Sequence, residues 1–166
     1  MSGAGDGIGS LGADDVSRFE QLLQRLVSDT HTRCAFLVDR AGRLLSRVGQ
    51  ADGLDETAFA SLASAGFAAS DQLAALLGEN EFSSLYHHGA QRSMFLADID
   101  GTAILAVLFD TRTTLGMVRI RTKSLIPLFT ESLRRLARRG PTGSVIAMDS
   151  AWAAEAESEI DRLFRE

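Results

Sequence analysis

The stretch from Asp55 to Gly78 constrains the fold more than any other part of the chain. It is rich in alanine, the strongest helix former, and Asp55 and Gly78 are residue types that cap the start and the end of a helix. Between Glu56 and Gly78 the only charged residue is Asp71. A helix on the outside of a small monomer normally has a charged face, so we expect this helix to be covered twice, by its own sheet and by another chain.

The helical period divides this stretch into three faces. The bulkiest face is predicted to lie on the sheet and consists of Phe59, Leu62, Gly66, Ala69, Leu73 and Leu77. A second face has small side chains that allow a partner to approach closely: Ala58, Ser61, Ala65, Ala68, Gln72 and Ala75. The third is an apolar flank, predicted to contact a second subunit: Ala60, Ala63, Phe67 and Ala74. The alternative is an internal helix of one larger core.

Composition limits the class of protein. The chain has 166 residues, a formal net charge of −5 and 45% hydrophobic residues, which suits one globular domain with a tail. The acidic excess argues against nucleic-acid binding, which needs clustered positive charge. The single cysteine, Cys34, lies in an apolar run and is predicted to be a buried hydrophobe in a reducing compartment. Because we find neither a membrane-length apolar run nor a signal peptide, we expect a cytoplasmic protein without membrane insertion.

Apolar runs and turn signals predict an α+β fold, with a central five-stranded antiparallel sheet and helices on both faces. Residues 33–39 and 102–109 are continuous apolar runs and are predicted to be neighbouring strands in the middle of the sheet. Asp100-Gly101 is a strong two-residue hairpin signal. The strand at 82–88 is left as an exposed edge. The predicted strands, in chain order, are 33–39, 44–48, 82–88, 93–99 and 102–109.

The same patterns divide the chain into four regions. Residues 1–13 are predicted to be disordered, 14–139 to form the domain, 140–148 to be a linker and 149–166 to form a C-terminal amphipathic helix. The domain begins with a helix at 14–28 and ends with a long helix that Pro127 should kink or split. The C-terminal helix has an apolar stripe among acidic residues: Trp152, Ala156, Ile160, Leu163 and Phe164. It either binds a groove of another protein or folds back onto the Arg-rich end of the preceding helix.

We find no set of residues arranged for catalysis. His87 and His88 are adjacent in a predicted strand and would point to opposite faces, which is poor geometry for one metal ion. Asp98 and Asp100 flank a hairpin turn, where aspartate is common for structural reasons. We therefore predict that the protein is not an enzyme, and that it has no catalytic residues, no metal site and no cofactor of its own.

Four segments of the chain resemble one known family: FLVDRAGRLLSRVGQ at 36–50, LLGENEF at 76–82, ILAVLFDTRTTLGMVRIR at 104–121 and EIDRLF at 159–164. They resemble the Roadblock (dynein light-chain-like) family, and most closely its bacterial cell-polarity members. The resemblance implies a homodimer that pairs its second helices and its edge strands, so that one sheet runs across two subunits. The predicted dimer interface consists of Ala60, Ala63, Phe67, Ala74, Phe82 and Leu85.

The resemblance also implies a partner, a small Ras-like GTPase of the MglA type that acts in bacterial cell polarity and motility, with a cell pole as the expected location. The helix pair would dock the GTPase and accelerate GTP hydrolysis without an arginine finger, while GTP and Mg²⁺ stay on the GTPase. The C-terminal helix would bind a separate surface and favour nucleotide exchange. The implied GTPase-binding residues are Ser61, Ala65, Ala68, Gln72, Ile160, Leu163 and Phe164.

Three residues depart from the family's pattern: Asp71, Gln72 and Pro127. The alternative function is a Roadblock-type scaffold that recruits a partner without changing GTP turnover. A small-molecule sensor is a third reading, because sensor domains share this α+β shape, but no polar pocket is evident in the sequence.

Overall fold

Five antiparallel strands form a single sheet with helices on both of its faces. The computed structural model describes Ile8 and residues 10–139. The strands are β1 (Cys34–Asp39), β2 (Leu44–Gly49), β3 (Ser84–His88), β4 (Ser93–Ile99) and β5 (Ala103–Phe109). The helices are α1 (Ala13–Thr30), α2 (Glu56–Leu76) and α3 (Leu115–Arg138). The α+β class that the sequence predicts is therefore confirmed.

The two most apolar strands, β1 and β5, are neighbours inside the sheet, whose order is β2-β1-β5-β4-β3. All residues of β1 are buried. In the β1–β5 register Phe36 lies opposite Ala106 and Leu37 opposite Leu105. Successive side chains of a strand point to opposite faces, so β1 and β5 can be apolar throughout only because helices cover both faces.

The sheet separates two hydrophobic cores. Leu37 belongs to the larger core, which includes Phe19 of α1 and Phe129 of α3. Phe36 belongs to the smaller core, which includes Phe67 of α2. The α2 helix therefore lies alone on its face of the sheet, and its outer sides have no cover within the described part of the chain.

Aspartate residues fix the shapes of two turns. Asp100 (φ 53°) and Gly101 (φ 67°) both adopt left-handed backbone conformations, which is the type I′ geometry that the Asp-Gly pair predicts. In the β1–β2 turn, Asp39 Oδ1 accepts hydrogen bonds from the backbone N–H groups of Ala41 (3.0 Å) and Arg43 (2.8 Å). The β1–β2 turn thereby has a defined shape, and it contacts α2.

The α3 helix runs through Pro127 without a break, so the predicted split does not occur. Pro127 is exposed. A proline deprives the carbonyl four residues earlier, here that of Lys123, of its backbone donor, and on an exposed side water can replace that donor.

The segment before α1 is partly packed. Ile8 and Leu11 contact the larger core, and the carbonyl of Ile8 accepts a 2.7 Å hydrogen bond from Arg43 Nη2. The disorder predicted for residues 1–13 remains a prediction for this segment, most of which lies outside the described residues. The predicted linker at 140–148 and the C-terminal helix at 149–166 lie outside the described residues.

Candidate functional site

The sequence predicts that the face of α2 with the largest side chains contacts the sheet. A different face does so in the structure. Ala60, Ala63, Phe67 and Ala74 are buried, and the first three belong to the smaller core. By contrast Leu62 is 71% exposed and Leu73 56% exposed. The assignment of the leucine face to the sheet is therefore wrong. Ala60, Ala63, Phe67 and Ala74, which the sequence predicts at a dimer interface, are therefore buried within this subunit and not displayed on its surface.

Arg40 makes polar contacts with α2 in this orientation of the helix. The Ser64 hydroxyl donates a 2.6 Å hydrogen bond to the carbonyl of Arg40. The Arg40 guanidinium pairs with Asp71 of α2 (Nη1–Oδ2 3.1 Å) and with Asp98 of β4. It also lies 4.8 Å from the centroid of the Phe67 ring. These contacts can form only when the side of α2 that includes Ser64, Phe67 and Asp71 turns towards the sheet.

Gly42 allows the β1–β2 turn to approach α2 closely. It has φ +85°, a conformation that favours glycine, and a Cβ there would lie 3.0 Å from the Cα of Ser61. The turn therefore packs against the helix backbone beside Ser61. Asp71, which the resemblance marks as a departure, pairs with Arg40. The sequence contains a signal for this pair, since Asp71 is the only charged residue of α2 after Glu56 and such an isolated charge favours a partner of opposite charge.

One exposed flank of α2 begins beside the edge strand β3, where Leu62 and Gly66 line a groove with His87. We call it the leucine flank: Leu62, Gly66, Leu73 and Leu77. Next to it, a groove of about 410 Å³ lies between the first half of α2 and strands β3 and β4, with Phe59, His87 and Met94 among its lining residues. The groove is apolar apart from Asp55 and His87. Leu76 (83% exposed) and Leu77 (72% exposed) lie at the other end of the helix. Such a surface is typical of a contact with another protein.

The edge strand β3 continues this surface. It pairs only with β4 among the described strands, so one side of its backbone has donors and acceptors without strand partners. Leu85 is partly buried and packs against the smaller core, and Phe82 precedes the strand and is also partly buried. Their predicted role in dimer formation remains a prediction.

The other exposed flank of α2, beside the β1–β2 turn, contains the residues that the resemblance assigns to docking. Ser61, Ala65, Ala68 and Gln72 are all exposed, and we call them the small-residue flank. The α2 helix contains no lysine or arginine. The flank is thus an uncharged helical surface where a partner's backbone can come close. Ile160, Leu163 and Phe164, which the sequence places at the same site, lie outside the described residues.

Three arginines near the ends of the strands each pair with a carboxylate of the same chain. Arg43 pairs with Asp39 (Nε–Oδ2 3.0 Å) and Arg47 with Glu56 (Nε–Oε1 3.0 Å). Arg112 pairs with Asp110 (Nε–Oδ1 3.0 Å). Arg40 is paired as well, so each of these four arginines has a carboxylate partner, although the side chains of Arg43, Arg47 and Arg112 are exposed.

Asp110 organises the loop between β5 and α3. Its carboxylate accepts from Arg112 Nε and backbone N–H (3.1 Å) and from Arg33 Nε (2.8 Å). These hydrogen bonds, first that of the Arg112 side chain and then that of Arg33, hold the pKa of Asp110 well below its usual range. The pKa of Arg33 is raised by the same contact. Asp110 is therefore ionised and structural at neutral pH.

Cys34 is buried, and His87 and His88 lie on the edge strand β3. Burial raises the pKa of the Cys34 thiol to about 11, so it is not a thiolate nucleophile at neutral pH. His88 Nδ1 lies 3.0 Å from the Tyr86 hydroxyl and 3.2 Å from that of Ser93, whereas His87 lines the groove beside α2. Among the described residues, no group of three or more His, Cys, Asp or Glu side chains is placed to hold a metal ion.

The five-stranded sheet, with the exposed helix α2 beside its edge strand β3, is the fold of a known family of domains. Residues 18–109 match the model of the Roadblock/LC7 domain, and the chain belongs to that family. Its structure is similar to that of Myxococcus xanthus MglB, with 35% sequence identity, a TM-score of 0.72, and 76% of this chain and 96% of that chain covered.

Two other solved structures are also similar. Gliding protein MglB from Thermus thermophilus has 27% identity and a TM-score of 0.67, with 80% of this chain and 97% of that chain covered. A structure described as MglB with tetrameric arrangement has 25% identity and a TM-score of 0.72, with 78% and 96% covered. A sequence comparison with curated proteins gives no match. In the part of the chain that the structure describes, no helix combines the length and apolar character needed to span a bilayer.

Proposed function

We propose that this chain is an MglB-like homodimeric regulator of a small Ras-like GTPase of the MglA type, and that it accelerates GTP hydrolysis by that GTPase. The observation that carries the proposal is that α2 has two exposed, nearly uncharged flanks of different character. The leucine flank, next to edge strand β3, would bind a second copy. The small-residue flank, next to the β1–β2 turn, would bind the GTPase.

The leucine flank fits a two-fold symmetric contact. In such a contact each α2 meets its copy, and an antiparallel arrangement brings the end of one helix to the start of the other. Leu73, Leu76 and Leu77 of one subunit would then lie near the partner's apolar groove beside Phe59. Gly66 and Ala69 are near the middle of the helix, where small side chains let the backbones approach.

Burial of the exposed leucines would favour such a pair, with a gain of the same order as the cost of association. Burial of a leucine contributes about 1.5–3 kcal/mol, and three from each subunit would contribute roughly 9–18 kcal/mol. Association costs about 4–15 kcal/mol in lost freedom. Pairing of two β3 edges would add backbone hydrogen bonds and extend the sheet across both subunits.

The small-residue flank would position the GTPase without supplying a catalytic side chain. It has no cation, and Arg40, Arg43, Arg47 and Arg112 are each paired with a carboxylate of the same chain. An arginine finger must reach the transferred phosphoryl group as an available cation. The proposed mechanism is therefore that docking rearranges the catalytic residues of the GTPase itself, where GTP and Mg²⁺ are bound.

The C-terminal segment is assigned a second contact with the GTPase. Full burial of Ile160, Leu163 and Phe164 would contribute about 1.5–3 kcal/mol each before ordering costs, which suits a weak contact that tethering makes effective. A chain ending at residue 148 should remain a dimer and retain most stimulation of GTP hydrolysis, but bind the GTPase less tightly and lose any effect on nucleotide exchange.

The test is multiple-turnover GTP hydrolysis by an MglA-type GTPase from the same genome, with and without this chain. The wild-type chain should increase the rate, and Ala68→Arg should reduce it to the intrinsic rate because a long charged side chain would enter a close contact. Ala137→Arg is the matched control, since Ala137 is an exposed helical alanine on the opposite side of the sheet. Binding without stimulation would favour the scaffold function. Full stimulation by Ala68→Arg would contradict the assignment of the docking flank.

A further inference from the structure

The outer side of α3 is strongly basic in an otherwise acidic protein. From residue 115 to residue 139 there are seven basic residues and one acidic residue, Glu131, although the whole chain has a net charge of −5. The basic residues are Arg119, Arg121, Lys123, Arg134, Arg135, Arg138 and Arg139. All seven are exposed, because the buried side of α3 is occupied by apolar and hydroxyl side chains. A local excess of this size creates a positive potential over the helix.

Only some of these charges are neutralised within the chain. Arg134 pairs with Asp100 (Nη2–Oδ2 2.7 Å), Arg139 with Asp15 (Nη1–Oδ1 3.1 Å), and Arg135 with Glu131. No ion pair with a described residue is formed by the remaining four, which are Arg119, Arg121, Lys123 and Arg138.

Apolar side chains are exposed among these free cations. Ile120 is 67% exposed and Met117 43% exposed, although both lie on a helix whose other side packs in the larger core. At 100° per residue, Ile120, Pro127, Arg134 and Arg138 share the crest of α3 that points away from the sheet. The outer side of α3 therefore combines positive charge with exposed hydrophobic contacts.

We propose that the acidic C-terminal segment of this same chain, residues 149–166, docks on the basic outer side of α3. The segment contains six acidic and two basic residues, so its charge is opposite to that of α3. It also has apolar residues at helical spacing, including Trp152 and Ile160, that match the exposed Ile120 and Met117. The α2 helix offers no cation to such a segment.

The chain is long enough for this contact. Ten residues separate Arg138 from Asp149, and an extended chain of that length spans roughly 30 Å. From Arg138 back to Ile120 the helix is about 27 Å long. A tethered segment has an effective concentration of about 1 mM, so even a weak contact is populated. An external anion would have to compete with this tethered acidic segment, which is why we favour the segment over a lipid surface.

Trp152 provides the test because it is the only tryptophan in the chain and lies in the docking segment. In the full-length protein alone, quenching of its fluorescence by acrylamide should be about twofold weaker than in the variant Arg119→Glu/Lys123→Glu, in which docking is lost. Raising NaCl from about 0.1 M to about 1 M, which shortens the Debye length from about 10 Å to about 3 Å, should also expose Trp152. The proposal does not rest on the proposed GTPase function, since no GTPase is present.

Control variants test whether charge complementarity, and not the change of net charge alone, shields Trp152. Arg25→Glu/Arg92→Glu makes the same change of charge at exposed positions elsewhere and should leave Trp152 shielded. Adding Glu155→Lys/Glu157→Lys to the Arg119→Glu/Lys123→Glu variant should restore the shielding. Equal quenching in all of these proteins would overturn the proposal, as would shielding that grows with protein concentration and so reports a contact between copies. Equal binding of phosphatidylglycerol vesicles by the full chain and by a chain ending at residue 148 would also overturn it, because the α3 face would then be free.

Discussion

Arg40 and Asp71 form an ion pair that joins the β1–β2 turn to the second half of α2, with 3.1 Å between Nη1 and Oδ2. The same guanidinium reaches Asp98 on β4, so one side chain connects the helix to two parts of the sheet. Asp98 in turn accepts a 2.8 Å hydrogen bond from the backbone of Gly101. The rotation of α2, and with it the identity of its exposed flanks, therefore depends on a residue outside the helix.

Replacing Arg40 with alanine should lower the free energy of unfolding by about 1–3 kcal/mol. The pairs are partly exposed, and Arg40 Nε and Asp71 Oδ1 have no hydrogen-bond partner among the described residues, so the effect should be smaller than for a fully buried pair. Loss of Arg40 nevertheless leaves two carboxylates without their counter-ion. Urea unfolding at one fixed protein concentration measures the change. Arg25→Ala, which removes an exposed pair with Asp29, should change it by less than about 0.5 kcal/mol.

The orientation of α2 predicts that an alanine-to-leucine substitution lowers the free energy of unfolding at a buried position and hardly changes it at an exposed one. Ala60→Leu should destabilise the protein by about 1–3 kcal/mol, because Ala60 is fully buried in the smaller core and a larger side chain there would overpack it. Ala69→Leu adds the same atoms on an exposed side and should have little effect on the unfolding of the subunit. Thermal or urea unfolding compares them. A greater loss of stability for Ala69→Leu would support the orientation that the bulk of the side chains predicted.

The sheet could be predicted from sequence because its signals are local. Strands β1 and β5 are continuous apolar runs, and the Asp100-Gly101 pair specifies its own turn. The position of β3 at an edge follows from its polar end and from the placement of the other strands.

The rotation of α2 could not be predicted in the same way. The helix has two apolar stripes, and ranking them by size favours the one with Leu62 and Leu73, whereas Ala60 and Ala63 pack closely on the sheet. The contacts that accompany this rotation join Arg40 to Ser64, Asp71 and Asp98, residues far apart in the chain. Periodicity within one helix contains no information about such partners. The small-residue flank is exposed in the subunit, since Ser61 and Ala68 lie away from both alternatives for the sheet-facing stripe, and its docking role remains a prediction.

A charge in the leucine flank should separate the proposed dimer without unfolding its subunits. Leu73→Glu places a carboxylate where the partner's apolar groove would close, while Leu73 contributes little to the core of its own subunit because it is 56% exposed. Analytical ultracentrifugation should show a monomer, with far-UV circular dichroism unchanged. Ile120→Glu is the control: Ile120 is as exposed and as apolar, but lies on α3, and its variant should remain a dimer. A dimeric Leu73→Glu would contradict the assigned interface.

Single removal of the paired arginines should leave most stimulation of GTP hydrolysis intact. Arg43→Ala, Arg47→Ala and Arg112→Ala each remove a cation that is already held by a carboxylate of the same chain. A true arginine finger contributes roughly 10³–10⁵ to the rate, so its loss would be unmistakable beside changes of a few-fold. The assay is single-turnover hydrolysis at saturating concentrations of each variant. A drop of about 10³ for any one of them would refute a mechanism based only on rearrangement of the GTPase.

Protonation of Asp110 should lower the free energy of unfolding as the pH falls through the acid range. Hydrogen bonds from Arg112 and Arg33 lower its pKa in the folded state, so its contribution to stability is present above the unfolded pKa of about 3.9 and is lost progressively as the pH falls below that value. Asp110→Asn should therefore be less stable than the wild type at pH 7, and its stability should change less between about pH 4 and pH 2. Urea unfolding across this range measures both slopes. Asp29→Asn makes the same substitution at a carboxylate whose ion pair with Arg25 is long (3.9 Å) and exposed, and it is the matched control. Parallel pH profiles for Asp110→Asn and the wild type would show that the Asp110 cluster does not contribute to acid sensitivity.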